Sequence, residues 1–374
     1  MNKPHVIIMA GGTGGHIYPA LAVAEELKKQ GVAVSWLGTR KGLEAQLVPN
    51  AGIEIDYIDI EGVRGKGWKS LLKAPILLTG AISQARRIIK QRRAQVVVGF
   101  GGFVAGPGGV AAKLCGLPLI VHEQNAIAGT TNKLLAKIAN HVFSAFPSVF
   151  KGALVVGNPV RKEIVNLPNP SDRWQPTTAE AGSSGNQPFK LLVLGGSLGA
   201  AALNALVPQA IAAIRARQDI NLRVLHQCGK KNIEATQRAY QQSGLNFDDE
   251  FIQVKPYVED MASAYAEAHF VICRAGALTV SEIAAAGCAS LMVPYPYAID
   301  DHQTHNAMWL VDQGAARVCQ QKDLSLERLV DELLFAVNQR ENVLTMANKA
   351  RDLAQVDAAE KVAEKCVEVM SSGH

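Results

Sequence analysis

The sequence predicts an α/β protein of two doubly wound parallel-sheet domains with a cleft between them. Three observations predict it. One strand–glycine–helix unit occurs twice, as Ile7-Ile8-Met9-Ala10-Gly11-Gly12-Thr13-Gly14-Gly15-His16 and as Leu191-Leu192-Val193-Leu194-Gly195-Gly196-Ser197-Leu198-Gly199-Ala200. Short apolar strands alternate with helical stretches around both copies, as in parallel sheets buried on both faces. Between the copies, residues 166–187 turn to proline, serine, glycine and asparagine, the composition of a linker.

In the first half the apolar runs place strands at His5–Ala10, Val34–Gly38, Ile53–Asp59, Val96–Phe100, Leu119–His122 and His141–Ala145. A helix is expected over Pro19–Gln30, with Pro19 near its start and Gly31 ending it. The second half restarts at Phe189 and continues with strands at Leu222–His226, Phe251–Val254, Phe270–Cys273, Ser290–Pro294 and Ala316–Cys319. From Leu324 to Met370 the pattern is helical. The expected organisation is a first domain over 1–164, a linker over 165–188 and a second domain over 189–344. A C-terminal helix from about residue 345 is long enough to return to the first domain.

Composition bounds the function. A chain of 374 residues holds two or three domains. Its hydrophobic fraction of 48% supplies their cores, and 19% charged residues exclude a disordered chain. The six cysteines form no C-x-x-C pair, so neither a zinc site nor a redox pair is indicated. The N-terminus enters a strand directly, without the apolar core of a secretion signal. No uncharged run approaches the roughly 18 residues of a membrane span, so a cytoplasmic protein is expected. Charge is uneven. Between Glu61 and Glu123 there is no acidic residue, and that window carries ten lysines and arginines. This stretch should face something anionic.

Glycine lets backbone approach a bulky anion, and the helix that follows offers free N–H groups and a partial positive charge. A third cluster, Gly99-Phe100-Gly101-Gly102-Phe103-Val104-Ala105-Gly106-Pro107-Gly108-Gly109, also follows an apolar strand. Any one loop reads equally as a tight turn; three at strand ends point to a diphosphate site. The dinucleotide pattern G-x-G-x-x-G fails, because Ile17 stands at its third glycine and Ser197 interrupts the second copy. The second strand ends Gly38-Thr39-Arg40, with no carboxylate for a ribose, and the P-loop pattern is absent.

These residues carry a resemblance. Gly11-Gly12-Thr13-Gly14-Gly15-His16-Ile17-Tyr18-Pro19 resembles the first glycine loop of the MurG family, and Gly101-Gly102-Phe103-Val104-Ala105-Gly106-Pro107 resembles its second. His122-Glu123-Gln124-Asn125, Gly157-Asn158-Pro159-Val160-Arg161, Gly195–Ala200 and Cys273-Arg274-Ala275-Gly276-Ala277-Leu278-Thr279-Val280-Ser281-Glu282 are similar to further signatures, in family order. The resemblance implies a GT-B glycosyltransferase, two Rossmann-like domains with the UDP-sugar held mainly by the second. It implies inverting transfer of GlcNAc from UDP-GlcNAc to the muramic acid 4-hydroxyl of lipid I, giving lipid II for peptidoglycan synthesis. No metal or cofactor is implied, in keeping with the absence of an Asp-x-Asp motif.

By resemblance, Glu282 holds the ribose hydroxyls, a task that suits a carboxylate accepting two hydrogen bonds. Ala277, Leu278, Thr279, Val280 and Ser281 line the nucleotide through backbone and hydroxyls, and Val258 offers backbone to uracil. Ser197 and Arg161 match diphosphate contacts, although Arg161 also reads as a surface charge. Gln303 resembles the reader of the GlcNAc hydroxyls; the preceding segment differs from the commonest form in length, so His302 is the alternative. Thr13, Gly14, Gly15 and Asn125 meet the sugar or acceptor from the first half. A base must take the acceptor proton, and donors must stabilise the leaving diphosphate. His16, at a helix start that favours the neutral imidazole, is the candidate base, with Glu123 its rival.

Trp68, Leu71, Leu72, Ile76 and Leu77 are interleaved with Lys69 and Lys73, an apolar patch ringed by cations that suits an anionic bilayer. Leu78, Ile82 and Ile89 are read as the inward face of the same helix. Lys133 and Lys137 are expected to assist with the lipid diphosphate. The expected partners are UDP-GlcNAc, lipid I, an anionic membrane at the cytoplasmic face of the inner membrane, and other cell-wall synthesis proteins. Nucleic acid is not expected, because few aromatics accompany the cations. Two alternatives remain: a UDP-GlcNAc 2-epimerase on the same fold, and a non-catalytic subunit that binds a nucleotide sugar.

Overall fold

The computed structural model describes residues 3–61, 68–174, 188–196, 199–217, 220–247 and 251–372, with backbone alone for 68–73 and 299. The chain divides into two compact units, Met1–Arg161 with Gln355–His374, and Lys162–Ala354.

The first unit holds a seven-stranded sheet. Its strands are β1 (His5–Ala10), β2 (Ala33–Gly38), β3 (Glu54–Tyr57), β4 (Val96–Gly101), β5 (Leu119–Glu123), β6 (His141–Ser144) and β7 (Leu154–Val155). They lie in the order β3-β2-β1-β4-β5-β6-β7, and every pairing is parallel. The second unit holds β8 (Phe189–Leu194), β9 (Leu222–Gln227), β10 (Ile252–Lys255), β11 (Phe270–Cys273), β12 (Ala289–Met292) and β13 (Arg317–Val318). Their order, β10-β9-β8-β11-β12-β13, repeats the first sheet without its last strand, again all parallel. In each sheet the order reverses beside the first strand, between β1 and β4 and between β8 and β11. Ligands of doubly wound sheets bind at that reversal, beyond the carboxyl ends of the strands.

The central strands are apolar throughout because both faces are covered. Val6, Ile8, Val96, Val98 and Ile120 face one core; Ile7, Met9, Val97 and Val121 face another. The helix Ala358–Ser371 completes the first of these cores with Val362, Ala363 and Cys366. The helix Arg340–Asp352 belongs instead to the second unit, where Val343, Met346 and Ala347 join its core.

Two local expectations need correction. The first helix begins at Gly14, not near Pro19, and runs to Lys29. The glycines are therefore its first turn, and Pro19 lies inside it, removing one helical N–H donor. Residues 165–174 of the expected linker are packed into the second unit. There the Arg173 guanidinium donates to the carbonyls of Tyr265, Ala266, Ala286 and Gly287 at 3.0, 3.1, 2.5 and 3.0 Å. Of the rest of that linker, 175–187 lie outside the described residues.

Candidate active site

In the first unit the turn after β1 rests on a carboxylate. Glu44 is fully buried; one of its oxygens accepts from the Gly12 N–H at 3.1 Å. The other accepts from the N–H and hydroxyl of Thr39 at 3.0 and 2.7 Å. The turn after β4 presses on the same place. Gly102 has φ +81°, and a Cβ there would stand 2.4 Å from the Gly11 carbonyl oxygen. Only glycine allows this approach.

Thr13, Gly14, Gly15 and His16 follow, with Thr13 in extended conformation at the helix N-cap and no acidic residue in the first turn. His16 Nδ1 lies 3.3 Å from the Gly11 carbonyl oxygen. A carbonyl only accepts, so Nδ1 carries the proton and Nε2 is the basic atom of the neutral ring. A Cβ on Gly101 would meet His16 Nε2 at 3.1 Å, so the β4 turn borders the imidazole.

Glu123, buried at the end of β5, has four donors. One oxygen accepts from the Asn125 N–H and side-chain amide at 2.9 and 3.2 Å. The other accepts from the Gly129 N–H and the Asn132 amide, both at 3.0 Å. This carboxylate shapes the loop that carries Asn125. Beneath it His122 is fully buried, with Nε2 donating to the Gly157 carbonyl and Nδ1 accepting from the Gln124 amide. Burial lowers its pKa to about 4, which keeps it neutral. Arg161 stacks its guanidinium 5.5 Å from the centre of the Tyr18 ring, so it is held by the first unit and is not a loose surface charge.

In the second unit the turn after β8 is held by Gln227, the last residue of β9. Its side-chain oxygen accepts from the Gly196 N–H at 3.0 Å, and its side-chain N–H₂ donates to the Gly196 carbonyl at 3.0 Å and to the Pro256 carbonyl at 3.3 Å. Ser197, expected on the diphosphate, lies outside the described residues. The turn after β11 leads into the helix Ala277–Ala286, capped at Gly276 in extended conformation. Glu282 is buried on this helix, and one of its oxygens accepts from the Tyr265 hydroxyl at 3.2 Å. Burial and the adjacent carboxylate hold that phenol well above its usual pKa, so it stays a donor. Ser281 donates its hydroxyl to the Ala277 carbonyl at 3.0 Å. Val280 is fully buried and Ala277 nearly so, whereas Leu278 and Thr279 are half-buried. The Val280 side chain is therefore part of the core. Val258 is buried too, beside the exposed Tyr257.

Arg274 organises the next loop. It donates to the Val293 and Pro294 carbonyls at 3.0 and 3.2 Å and to the Gln321 side chain at 2.6 Å. Gln303 accepts from the Tyr295 N–H at 2.9 Å through its side-chain oxygen. Asn306, fully buried, donates to the Ala275 carbonyl at 3.2 Å and ties this helix to the β11 turn.

Comparison with known proteins agrees with this layout. Residues 6–144 match the glycosyltransferase family 28 N-terminal domain, and residues 190–365 match its C-terminal domain. A protein of Aeromonas hydrophila subsp. hydrophila named UDP-N-acetylglucosamine--N-acetylmuramyl-(pentapeptide) pyrophosphoryl-undecaprenol N-acetylglucosamine transferase is 51% identical over 364 residues, 96% of both chains. One of the same name from Cellvibrio japonicus is 50% identical over 374 residues, 99% of both. The crystal structure of Acinetobacter baumannii MurG superimposes with a TM-score of 0.81 at 44% identity, covering 98% of this chain and 99% of that one. This chain belongs to the MurG family of glycosyltransferases. The fold is therefore GT-B.

The remaining expectations for this MurG-family chain concern one helix face of the first unit. The helix Trp68–Arg92 is present, but the side chains of Trp68, Lys69, Leu71, Leu72 and Lys73 lie outside the described residues. Beyond them, Ile76 is 73% exposed, Leu77 47% and Leu78 42%. Leu78 thus belongs to the outward stripe; the inward face is Ala81, Ala85 and Ile89, at the helix period. Two further exposed apolar residues, Leu134 and Ile138, alternate with the exposed Lys133 and Lys137. Not every cation of the acid-free window is available. Arg92 pairs with Asp56 at 2.8 Å and with Glu54. Among the described residues no helix is long and apolar enough to cross a membrane.

Proposed function

We propose that this chain transfers GlcNAc from UDP-GlcNAc to the 4-hydroxyl of the muramic acid in undecaprenyl-diphospho-muramoyl-pentapeptide, with inversion, for peptidoglycan synthesis. The observation that carries this reading is the identity of about half the residues, over nearly the whole chain, to relatives named for that transfer.

The geometry supports a division of labour. The second unit takes the donor: Glu282, held by Tyr265, accepts from the ribose hydroxyls; Val258 backbone faces the uracil; Leu278, Thr279 and Ser281 line the nucleotide. The Gly195–Gly196 turn and Ser197 take the diphosphate, and Gln303 reads the sugar. The first unit takes the acceptor through Thr13, Gly14, Gly15 and Asn125. His16 Nε2 removes the acceptor proton as C1 is attacked, and the N–H groups and cations offset the charge growing on the departing UDP. Glu123 is the weaker candidate base, because its four donors occupy it as a structural acceptor.

The exposed Ile76, Leu77, Leu78, Leu134 and Ile138, with Lys133, Lys137, Arg86 and Arg87, form the membrane-facing side at the cytoplasmic surface. Flotation with anionic liposomes should fall with added salt; salt-insensitive or absent binding contradicts this face.

The decisive assay measures UDP release from UDP-GlcNAc with and without a short-chain lipid I analogue. Acceptor-dependent release with a disaccharide product supports transfer. Release of a 2-epimerised sugar without acceptor supports the epimerase reading instead.

A further inference from the structure

The Gly11–Gly12 peptide makes two hydrogen bonds on opposite edges. Its N–H, from Gly12, donates to the Glu44 carboxylate at 3.1 Å. Its C=O, from Gly11, accepts from His16 Nδ1 at 3.3 Å. One amide thus joins a buried anion to an imidazole. The packing around the anion is built for it. A Cβ would stand 2.9 Å from Glu44 Oε1 at Gly11, 2.0 Å from Oε2 at Gly42 and 2.9 Å from Cγ at Gly38. Three glycines, Gly11 on the β1 turn, Gly38 at the end of β2 and Gly42 on the connection after it, make room for one carboxylate. Among the described residues no cation pairs with it; its partners are N–H and O–H donors alone. A buried carboxylate is costly to keep, and neutral donors only partly offset the cost. The turn alone does not require a charge there, since Gln227 holds the matching turn of the second unit with a neutral amide.

We infer that Glu44 is a positioning residue for His16, acting through the Gly11–Gly12 peptide as a carboxylate–amide–imidazole relay. The anion polarises the amide, which makes the Gly11 oxygen a stronger acceptor for the Nδ1 proton. That fixes the tautomer with Nε2 basic and favours the imidazolium formed as the acceptor proton arrives. A carboxylate behind a catalytic histidine does the same directly in hydrolase triads; here a peptide stands between them. The other ionisable groups near His16 are Glu123, reached through Asn132 beside Gly101, the neutral His122 beneath it, and Arg161 on Tyr18. Glu44 is joined to the ring through a single peptide.

The inference rests on His16 as the base, and the test separates the two. The full chain is assayed with UDP-GlcNAc and a lipid I analogue across pH. Glu44→Gln should lower kcat roughly tenfold to hundredfold with little change in the KM for UDP-GlcNAc. It should also move the acidic limb of the profile to lower pH, because loss of the anion disfavours the imidazolium. In a His16→Ala background the same change should alter kcat less than about twofold. An equal loss in both backgrounds means a structural role and overturns the relay, while His16 stands as the base. Near-normal kcat in His16→Ala alone overturns both. Thr39→Val, which removes one donor and keeps the charge, should lower Tm without moving the limb; a moved limb contradicts the relay. Should Glu44→Gln not fold, nitrogen NMR of the unaltered protein decides. A His16 ring protonated at Nδ1 supports the relay, and an Nε2–H ring overturns it.

Discussion

Gly12 and Gly196 occupy the same place in the two halves, second in the glycine pair after the first strand of each sheet. Each donates its N–H to a side chain from the next connection or strand, Glu44 at the start of the helix after β2 and Gln227 at the end of β9, at 3.1 and 3.0 Å. In the first half that side chain is the anionic Glu44; in the second it is the neutral Gln227. The turn is shared, but the field it presents differs. A carboxylate under a glycine turn repels phosphate, whereas an amide leaves the N–H groups and helix dipole to attract it. The comparison supports assigning the donor diphosphate to the second turn and the proton transfer to the first.

The largest effect should come from the first turn. His16→Ala should lower kcat by roughly 10²- to 10⁴-fold with a near-normal KM for UDP-GlcNAc, measured by steady-state kinetics with a lipid I analogue. A normal kcat would break the comparison at its catalytic end. Next, Gln227→Glu gives the second turn the charge of the first. A carboxylate some 6–8 Å from a phosphate charge costs about 2–3 kcal/mol at an effective dielectric near 20, so KM for UDP-GlcNAc should rise roughly 30- to 100-fold. Gln227→Ala should raise it less, which separates charge from lost support. Third, Glu282→Ala should weaken UDP binding roughly 10- to 150-fold while 2′,3′-dideoxy-UDP loses little, because one charged hydrogen-bond acceptor is worth roughly 1.5–3 kcal/mol.

The smallest effect is on stability. Burial lowers the pKa of His226 to about 3 and of His269 to about 4 in the second unit, and of His122 to about 4 in the first. Above the unfolded value of about 6.5 neither state is charged, so these rings cost nothing. As pH falls below it, the unfolded chain takes up protons that the folded chain refuses, and stability is lost down to the folded values. Tm should therefore fall steadily from pH 6.5 to 4. Hydrogen exchange should show the second unit losing protection first; the first unit yielding earlier would contradict this account.

Much of the fold was legible because a strand buried on both faces is apolar along its length. β1, β4, β8 and β11 fall where the apolar runs lie. β7 was missed because it is two residues long and both Leu154 and Val155 are exposed. The start of the first helix lies earlier than the sequence suggests, because glycine disfavours helix on propensity, yet Gly14 and Gly15 form its first turn after the Thr13 N-cap. The candidate site residues are legible as motifs, but their supports are not. The second strand was noted for lacking a ribose carboxylate at its end, while Glu44, five residues beyond Thr39, acts on the first strand's turn instead. Gln227 is likewise silent in sequence, an ordinary strand-end glutamine until the parallel pairing sets β9 beside β8. Motifs mark the candidate site residues; the residues that hold their turns, Glu44 at a helix start and Gln227 at a strand end, come from other segments, and only the fold brings those together.

The opposite character of the two turns is tested most directly by titrating UDP into three proteins calorimetrically: the unaltered chain, Gln227→Glu and Glu44→Gln. UDP affinity should drop at least tenfold in Gln227→Glu and stay within about twofold in Glu44→Gln. A drop in Glu44→Gln with unchanged affinity in Gln227→Glu would place the diphosphate on the first turn and contradict the account.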